Sequence, residues 1–288
     1  MSKISIITSF AGLWLTSYLS DTNQLIFGFL LIFTFGILHG ANDLVLIHQI
    51  ENNKKTTFVK IIVSYLVIVT GSVVLFTVLP LFALIMFVMV SGYHFGEQHW
   101  ASLIVAKNSI RKIFELIYGL FIIAVLLYMN ATEASKIIFE ITGTLLPLTF
   151  FTLSTVVLSI LLLISTYVMA REQSDFKKHI VEQLFYLVVL MVVFKSSSLI
   201  WGFTIYFIFW HSIPSLHDQI IFLYGKYSLA HFKKYVKTAF GYWILSIIGI
   251  AVLYILAKDL IIFDALFFSF LASITFPHAL VILRMFKK

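Results

Sequence analysis

The chain has 288 residues, of which 61% are hydrophobic, 17% aromatic and only 11% charged, and its mean hydropathy is +1.03. Soluble domains carry about 25% charged residues, so this composition excludes a soluble globular protein and indicates an integral membrane one. The absence of cysteine excludes disulfides, thiolate catalysis and Cys-ligated zinc or iron–sulfur sites.

Runs of roughly 20 apolar residues recur along the chain, each long enough to cross a bilayer as a helix. A spanning barrel would instead alternate in segments of about ten residues. Leu145–Ala170 is apolar on every face, so helices are predicted. The spans fall near 4–20, 24–48, 58–79, 80–100, 110–129, 145–170, 180–194, 197–217, 238–257 and 260–284. The first of them resembles a signal peptide in its single lysine and apolar core. It lacks a clear small-residue cleavage site and is read as a retained helix. Linkers are brief, and neither internal repeats nor low-complexity segments occur. The expectation is a single all-α domain over 1–288, a polytopic membrane protein of about ten transmembrane helices (8–10).

The basic residues orient these spans, since Lys and Arg concentrate in short cytoplasmic loops. Lys3 precedes the first span. Lys54, Lys55 and Lys60 follow the second, and Lys107, Arg111 and Lys112 the fourth. Arg171, Lys177 and Lys178 follow the sixth, Lys226, Lys233, Lys234 and Lys237 the eighth, and Arg284, Lys287 and Lys288 the tenth. Only Lys136, Lys195 and Lys258 fall in the intervening loops. This alternation predicts ten helices with both termini cytoplasmic. It also makes the net charge of +7 an orientation signal rather than a nucleic-acid footprint.

Of nine histidines, His179 and His231 fall in the cytoplasmic loops. The other seven lie in the second, fourth, eighth and tenth spans: His39 and His48, His94 and His99, His211 and His217, and His278. These spans all run from outside to inside. His39, His94 and His211 precede the next cytoplasmic lysine by 15, 13 and 15 residues, which places them at similar depth. An ionisable residue inside a membrane span marks a functional site by default. Several imidazoles at one depth suggest a metal held by histidine, which suits Fe, Zn, Cu or Ni.

The neighbours of each histidine fit that chemistry. In "GILHGAND", Gly36 and Gly40 let a helix or ligand approach closely. Asp43 is four residues after His39 on the same helical face, where a carboxylate can orient a ligating imidazole. "SGYHFGEQHW" repeats the plan with His94, Gly96, Glu97 and His99, and "FWHSIPSLHDQI" with His211, Ser215, His217 and Asp218. Glu97, His99 and Ser215 therefore join Asp43 as candidates to orient the ligands. In "TFPHALV", Pro277 stands just before His278.

Together, "LHGANDL", "SGYHFGEQHW", "YFIFWHSIPSLHDQ" and "FPHALV", in this order over nearly the whole chain, resemble the Brp/Blh family of membrane β-carotene 15,15′-dioxygenases. The resemblance implies an oxygenase of the bacterial inner membrane. It would cleave β-carotene at its central double bond with O2 at a histidine-ligated Fe(2+), giving two all-trans-retinal for a microbial rhodopsin. His39, His94 and His211 match the family's ligand motifs. The family pattern has a further His four residues after the one in the HS motif; here that position is Ser215, and the fourth ligand is either His217 or His278. Tyr93, Phe95, Phe207, Trp210 and Phe276 are candidates to line a site for the long apolar substrate, with Trp100 alternatively an interface anchor.

Rival readings fit less well. A di-iron desaturase needs dense clusters with adjacent His–His pairs, which are absent. A two-haem electron carrier needs histidines at two depths. An intramembrane metal-ion or proton-coupled transporter also places His, Asp and Glu in helices, but it should carry polar groups through the outer half of the spans, which is here almost wholly apolar.

Overall fold

A computed structural model of the protein describes residues 2–50, 55–101, 103–104, 108–257 and 263–287. Lys54, Lys107, Lys258 and Lys288, used above for orientation, lie outside the described residues, as does the predicted start of the tenth span. Every regular element among the described residues is helical. In chain order they are α1 (Ser2–Thr16), α2 (Asp21–Ile50), α3 (Lys55–Val78), α4 (Pro80–Trp100), α5 (Ser109–Met129) and α6 (Ala131–Thr142). There follow α7 (Leu148–Glu172), the single turn Ser174–Lys177, α8 (Ile180–Ser196), α9 (Leu199–Tyr224), α10 (Leu229–Ala257) and α11 (Phe263–Lys287).

Seven of these, α2, α4, α5, α7, α9, α10 and α11, contain stretches long and apolar enough to cross a membrane. Shorter apolar helices occupy Ile4–Thr16 and Ile62–Val78. Each predicted span falls on a helix. The stretch between the fifth and sixth spans, expected as a loop, instead forms α6. That helix is short and polar on one face, so an apolar-run criterion passes over it. Its Glu133 carboxylate accepts the Leu199 N–H at 3.0 Å, while Gln24 on α2 accepts the Ser198 N–H at 3.0 Å. Two side chains distant in sequence thereby satisfy N–H groups at the start of α9 that no helical carbonyl can reach. At its other end α9 stops at Gly225, whose φ of 79° is the left-handed conformation that glycine adopts most readily.

The chain divides into two compact units. The first comprises Met1–Leu31, Val88–Lys136 and Leu145–His211. Its core gathers Trp100, Phe114, Tyr118 and Phe176, with ring centroids 5.0–6.1 Å apart among the contacting pairs. Here α4 lies so close to α5 that a Cβ on Gly96 would overlap the Glu115 carbonyl, which is why that position carries no side chain. The first half of α9 is tied down by α1, through Trp201 Nε1 to Thr16 Oγ1 at 2.9 Å and Trp210 Nε1 to Ser9 Oγ at 2.7 Å.

The second unit comprises Ile32–Phe87, Ile137–Thr144 and Ser212–Lys288. Its buried clusters join α2 to α11 through Leu46, Ile47, Val281, Ile282 and Met285, and α9 to α10 through Leu216, Ile220, Tyr235 and Ala239. A third joins α3, α4 and α11 through Phe76, Ala83 and Ala272.

Candidate metal centre

His39 sits where α2 is irregular twice. Ile32–Gly36 forms a π turn, and the helix breaks at Ala41–Asn42 before resuming at Asp43. Such departures leave backbone groups in need of partners, and π turns recur at functional sites. The partners come from α10. Trp243 Nε1 donates to the Phe33 carbonyl at 2.9 Å, and the Asn42 side-chain amide, in the break itself, ties α2 to α10 by donating to the Tyr235 carbonyl at 2.9 Å. The Tyr235 hydroxyl lies 3.1 Å from the His39 carbonyl and 2.7 Å from Gln219 Oε1, sharing one proton between them, and Gln219 in turn donates to Ser215 at 3.1 Å. Buried polar groups thereby hold the short helical turn that carries His39 between the π turn and the break.

The His39 ring is buried, and its Nδ1 is hydrogen-bonded to the Gly36 carbonyl. A carbonyl can only accept, so Nδ1 carries the proton and the lone pair of the neutral ring is on Nε2. His278, on α11 immediately after Pro277, has the same arrangement with a different acceptor. Its Nδ1 is 2.7 Å from Asp43 Oδ1, and Tyr65 donates to the other oxygen of that carboxylate at 3.2 Å. Asp43 is 2% exposed, so both bonds compensate a carboxylate that burial would otherwise penalise heavily. The His39 and His278 rings meet edge to face with centroids 4.8 Å apart. A Cβ built on Gly40 would stand 3.5 Å from His278 Nδ1, an ordinary van der Waals contact, so α2 and the His278 ring lie side by side here.

The first unit holds a second pair. His94 on α4 and His211 on α9 are both 1% exposed, with ring centroids 4.7 Å apart and planes at 80°. His211 lies in a second π turn, Phe207–Ser212. Phe207 stacks over its ring at 5.6 Å and 21°, and Phe95 meets it edge-on at 4.7 Å. Tyr206 backs Phe95 at 5.4 Å. Buried imidazoles such as these, on His39 and His278 in the second unit and on His94 and His211 in the first, are side chains of the kind that ligate metal ions.

Residues 30–286 match the family described as Beta-carotene 15,15′-dioxygenase. The chain belongs to this family. No curated protein and no solved structure matches it. The span shared with the dioxygenase family takes in both histidine pairs, both π turns and Asp43.

Within this dioxygenase-family chain the remaining candidates are distributed as follows. His217 lies 3.4 Å from Asp218 and 5.1 Å, ring to ring, from Tyr227, its side chain 29% exposed; His278, the other candidate for the fourth ligand, is the one beside His39. His99 contacts Gln183 and the Tyr118 hydroxyl, at 3.1 Å for the latter. Glu97 accepts from Tyr93 at 3.3 Å. Ser215 belongs to the network that reaches the His39 backbone. Phe95 and Phe207 flank His211, whereas Trp210 turns to Ser9 and Tyr186, and Phe276 packs on Phe87. Trp100 is 2% exposed inside the aromatic core of the first unit. Tyr65, Tyr235 and Trp243 were not anticipated. A tyrosine or tryptophan in an apolar helix carries no sequence mark that separates a hydrogen-bonded role from packing.

Proposed function

We propose that the chain is a single catalytic domain that cleaves β-carotene at its central 15,15′ double bond with O2, giving two all-trans-retinal. The carbon–carbon double bond breaks, and each carbon takes one oxygen atom, so the equation balances without an external reductant. In this reading the chain crosses the bacterial inner membrane about ten times with both termini cytoplasmic, and its product passes to a microbial rhodopsin. The observation that carries the proposal is the presence of two buried histidine pairs on apolar helices within the span shared with the dioxygenase family.

An Fe(2+) ion fits the donor set. Iron takes imidazole nitrogen, and metal-bound histidines commonly donate their other ring N–H to a carboxylate or backbone carbonyl. His39 and His278 do so, to Gly36 and Asp43. We assign His39, His94, His211 and His278 as the ligands, with His278 preferred over His217 because it is buried against His39. Iron, when bound, supplies the activation of dioxygen. The chain's own residues do the rest. Asp43 holds the His278 proton on Nδ1, the Tyr235 network fixes the His39 backbone, and Phe95 and Phe207 hold the His211 ring in an apolar wall that excludes water.

The test is expression in cells that accumulate β-carotene. Loss of colour with formation of retinal is expected. Persistent colour, with the protein in the membrane and iron supplied, would overturn the assignment. Zinc without iron in the purified protein would favour a metal transporter.

A further inference from the structure

The second unit contains a cavity of about 400 Å³ beside the His39–His278 pair. Its inner end is polar. Asp43, hydrogen-bonded to both His278 and Tyr65, lines it together with Tyr65 and Gly40. The remaining wall, from α3, α10 and α11, is almost wholly apolar. The cavity is open on one side, where two of its lining side chains, Leu66 and Leu245, are 58% and 68% exposed. Both stand on apolar helices, so the medium outside this mouth is hydrocarbon rather than water. Gly249 also lines the cavity, and a Cβ built on it meets nothing within 4 Å. Close helix packing therefore does not explain this glycine; it leaves space.

We propose that this cavity is the port and berth of one arm of the carotenoid, which enters from the bilayer between α3 and α10 and lies with its inner end against Gly40 and Asp43. The proposal rests on the dioxygenase reading and adds to it a location for the substrate. Three observations select this occupant. The mouth faces hydrocarbon, so the ligand must be dissolved in lipid. The wall is apolar apart from Tyr242 and Ser246, so the ligand needs few or no polar groups there. The polar end adjoins a proposed metal ligand, so the bond to be cleaved can be brought to the metal while the rest of the arm stays in the cavity. A volume of about 400 Å³ is at the low end for small-molecule sites, roughly 300–1,000 Å³; it suits one arm rather than the whole polyene.

Two measurements on the full chain in phospholipid vesicles test this. The chain has no cysteine, so one introduced thiol can be labelled alone. A nitroxide attached through Leu245→Cys, at the mouth, should lose mobility when β-carotene is added. One attached through Ile160→Cys, 52% exposed on α7, should not. No response at the mouth, or an equal response at both sites, overturns the proposal and points to bulk partitioning or a resident lipid chain. In the second measurement, Gly249→Leu projects a side chain into open space and should lower retinal formation about 10-fold or more, the scale on which misfit in an apolar pocket acts, while iron content stays at the wild-type level. Undiminished retinal formation in Gly249→Leu overturns the proposal. If the wild-type chain itself forms no retinal, the dioxygenase reading fails, and the nitroxide measurement still decides whether the cavity takes a polyene.

Discussion

The two histidine pairs are built by different means. In the second unit, His39 and His278 each give Nδ1 to an oxygen acceptor, the Gly36 carbonyl and the Asp43 carboxylate, and Asp43 is itself held by Tyr65. In the first unit, the rings of His94, Phe95 and Phe207 pack against His211. Hydrogen bonds to Gly36 and Asp43 set the tautomers of the one pair, and aromatic packing helps to set the ring plane of His211 in the other. Hydrogen bonds decide which nitrogen can bind a metal, and packing decides where that nitrogen points. The proposed ligands should therefore respond differently to damage in each kind of support.

The largest effect should come from removing a ligand, and here the two pairs should behave alike. His94→Ala and His278→Ala are each expected to abolish retinal formation and to lower iron content in the purified protein. His217→Ala, in contrast, should leave both near wild type, because that side chain faces Asp218 and Tyr227. Loss of iron in His217→Ala with retention in His278→Ala would reverse the choice of fourth ligand.

The pairs should diverge at the next layer. Asp43→Ala removes the acceptor that holds the His278 Nδ1 proton. Loss of such a partner weakens metal binding about 10–100-fold, so iron titration should shift by that factor and excess iron should restore most of the activity. Phe95→Ala removes packing against His211 rather than an acceptor. A buried Phe→Ala change costs about 3–5 kcal/mol of stability, so thermal unfolding in detergent should fall clearly while iron affinity changes less than in Asp43→Ala. If Phe95→Ala lost iron as readily as Asp43→Ala, the distinction between the pairs would collapse.

Much of this was legible in the sequence, for physical reasons. Apolar runs of bilayer length have few alternatives to helix, so every predicted span falls on one. The relation of His39 to Asp43 was visible as a four-residue spacing. Its outcome was not, because Asp43 serves His278, which is 235 residues away. The π turns at Ile32–Gly36 and Phe207–Ser212 have no compositional signature. They follow from tertiary partners such as Trp243, which satisfies the Phe33 carbonyl from 210 residues away. Helix α6 was missed because Glu133, Lys136 and Glu140 interrupt its apolar pattern. Aromatic residues near a histidine in sequence were an uneven guide. Phe95 and Phe207 pack on His211, whereas Trp210, its immediate neighbour, points to α1, since successive residues on a helix face different directions.

The smallest effect should separate the roles of the two oxygens of Asp43. One accepts from His278 at 2.7 Å and the other from Tyr65 at 3.2 Å. Tyr65→Phe keeps the ring and deletes only the longer bond. The carboxylate keeps its histidine partner, so the loss should be that of one hydrogen bond, about 1 kcal/mol or somewhat more because the acceptor is charged. Iron affinity should therefore fall by only several-fold, well short of the effect of Asp43→Ala. Tyr65 also lines the cavity, where Tyr65→Phe keeps the ring that an apolar substrate would pack against. At saturating iron, the KM for β-carotene should therefore stay near the wild-type value with kcat little changed. Wild-type iron affinity with a raised KM would instead make the hydroxyl a part of the substrate site rather than a support for Asp43.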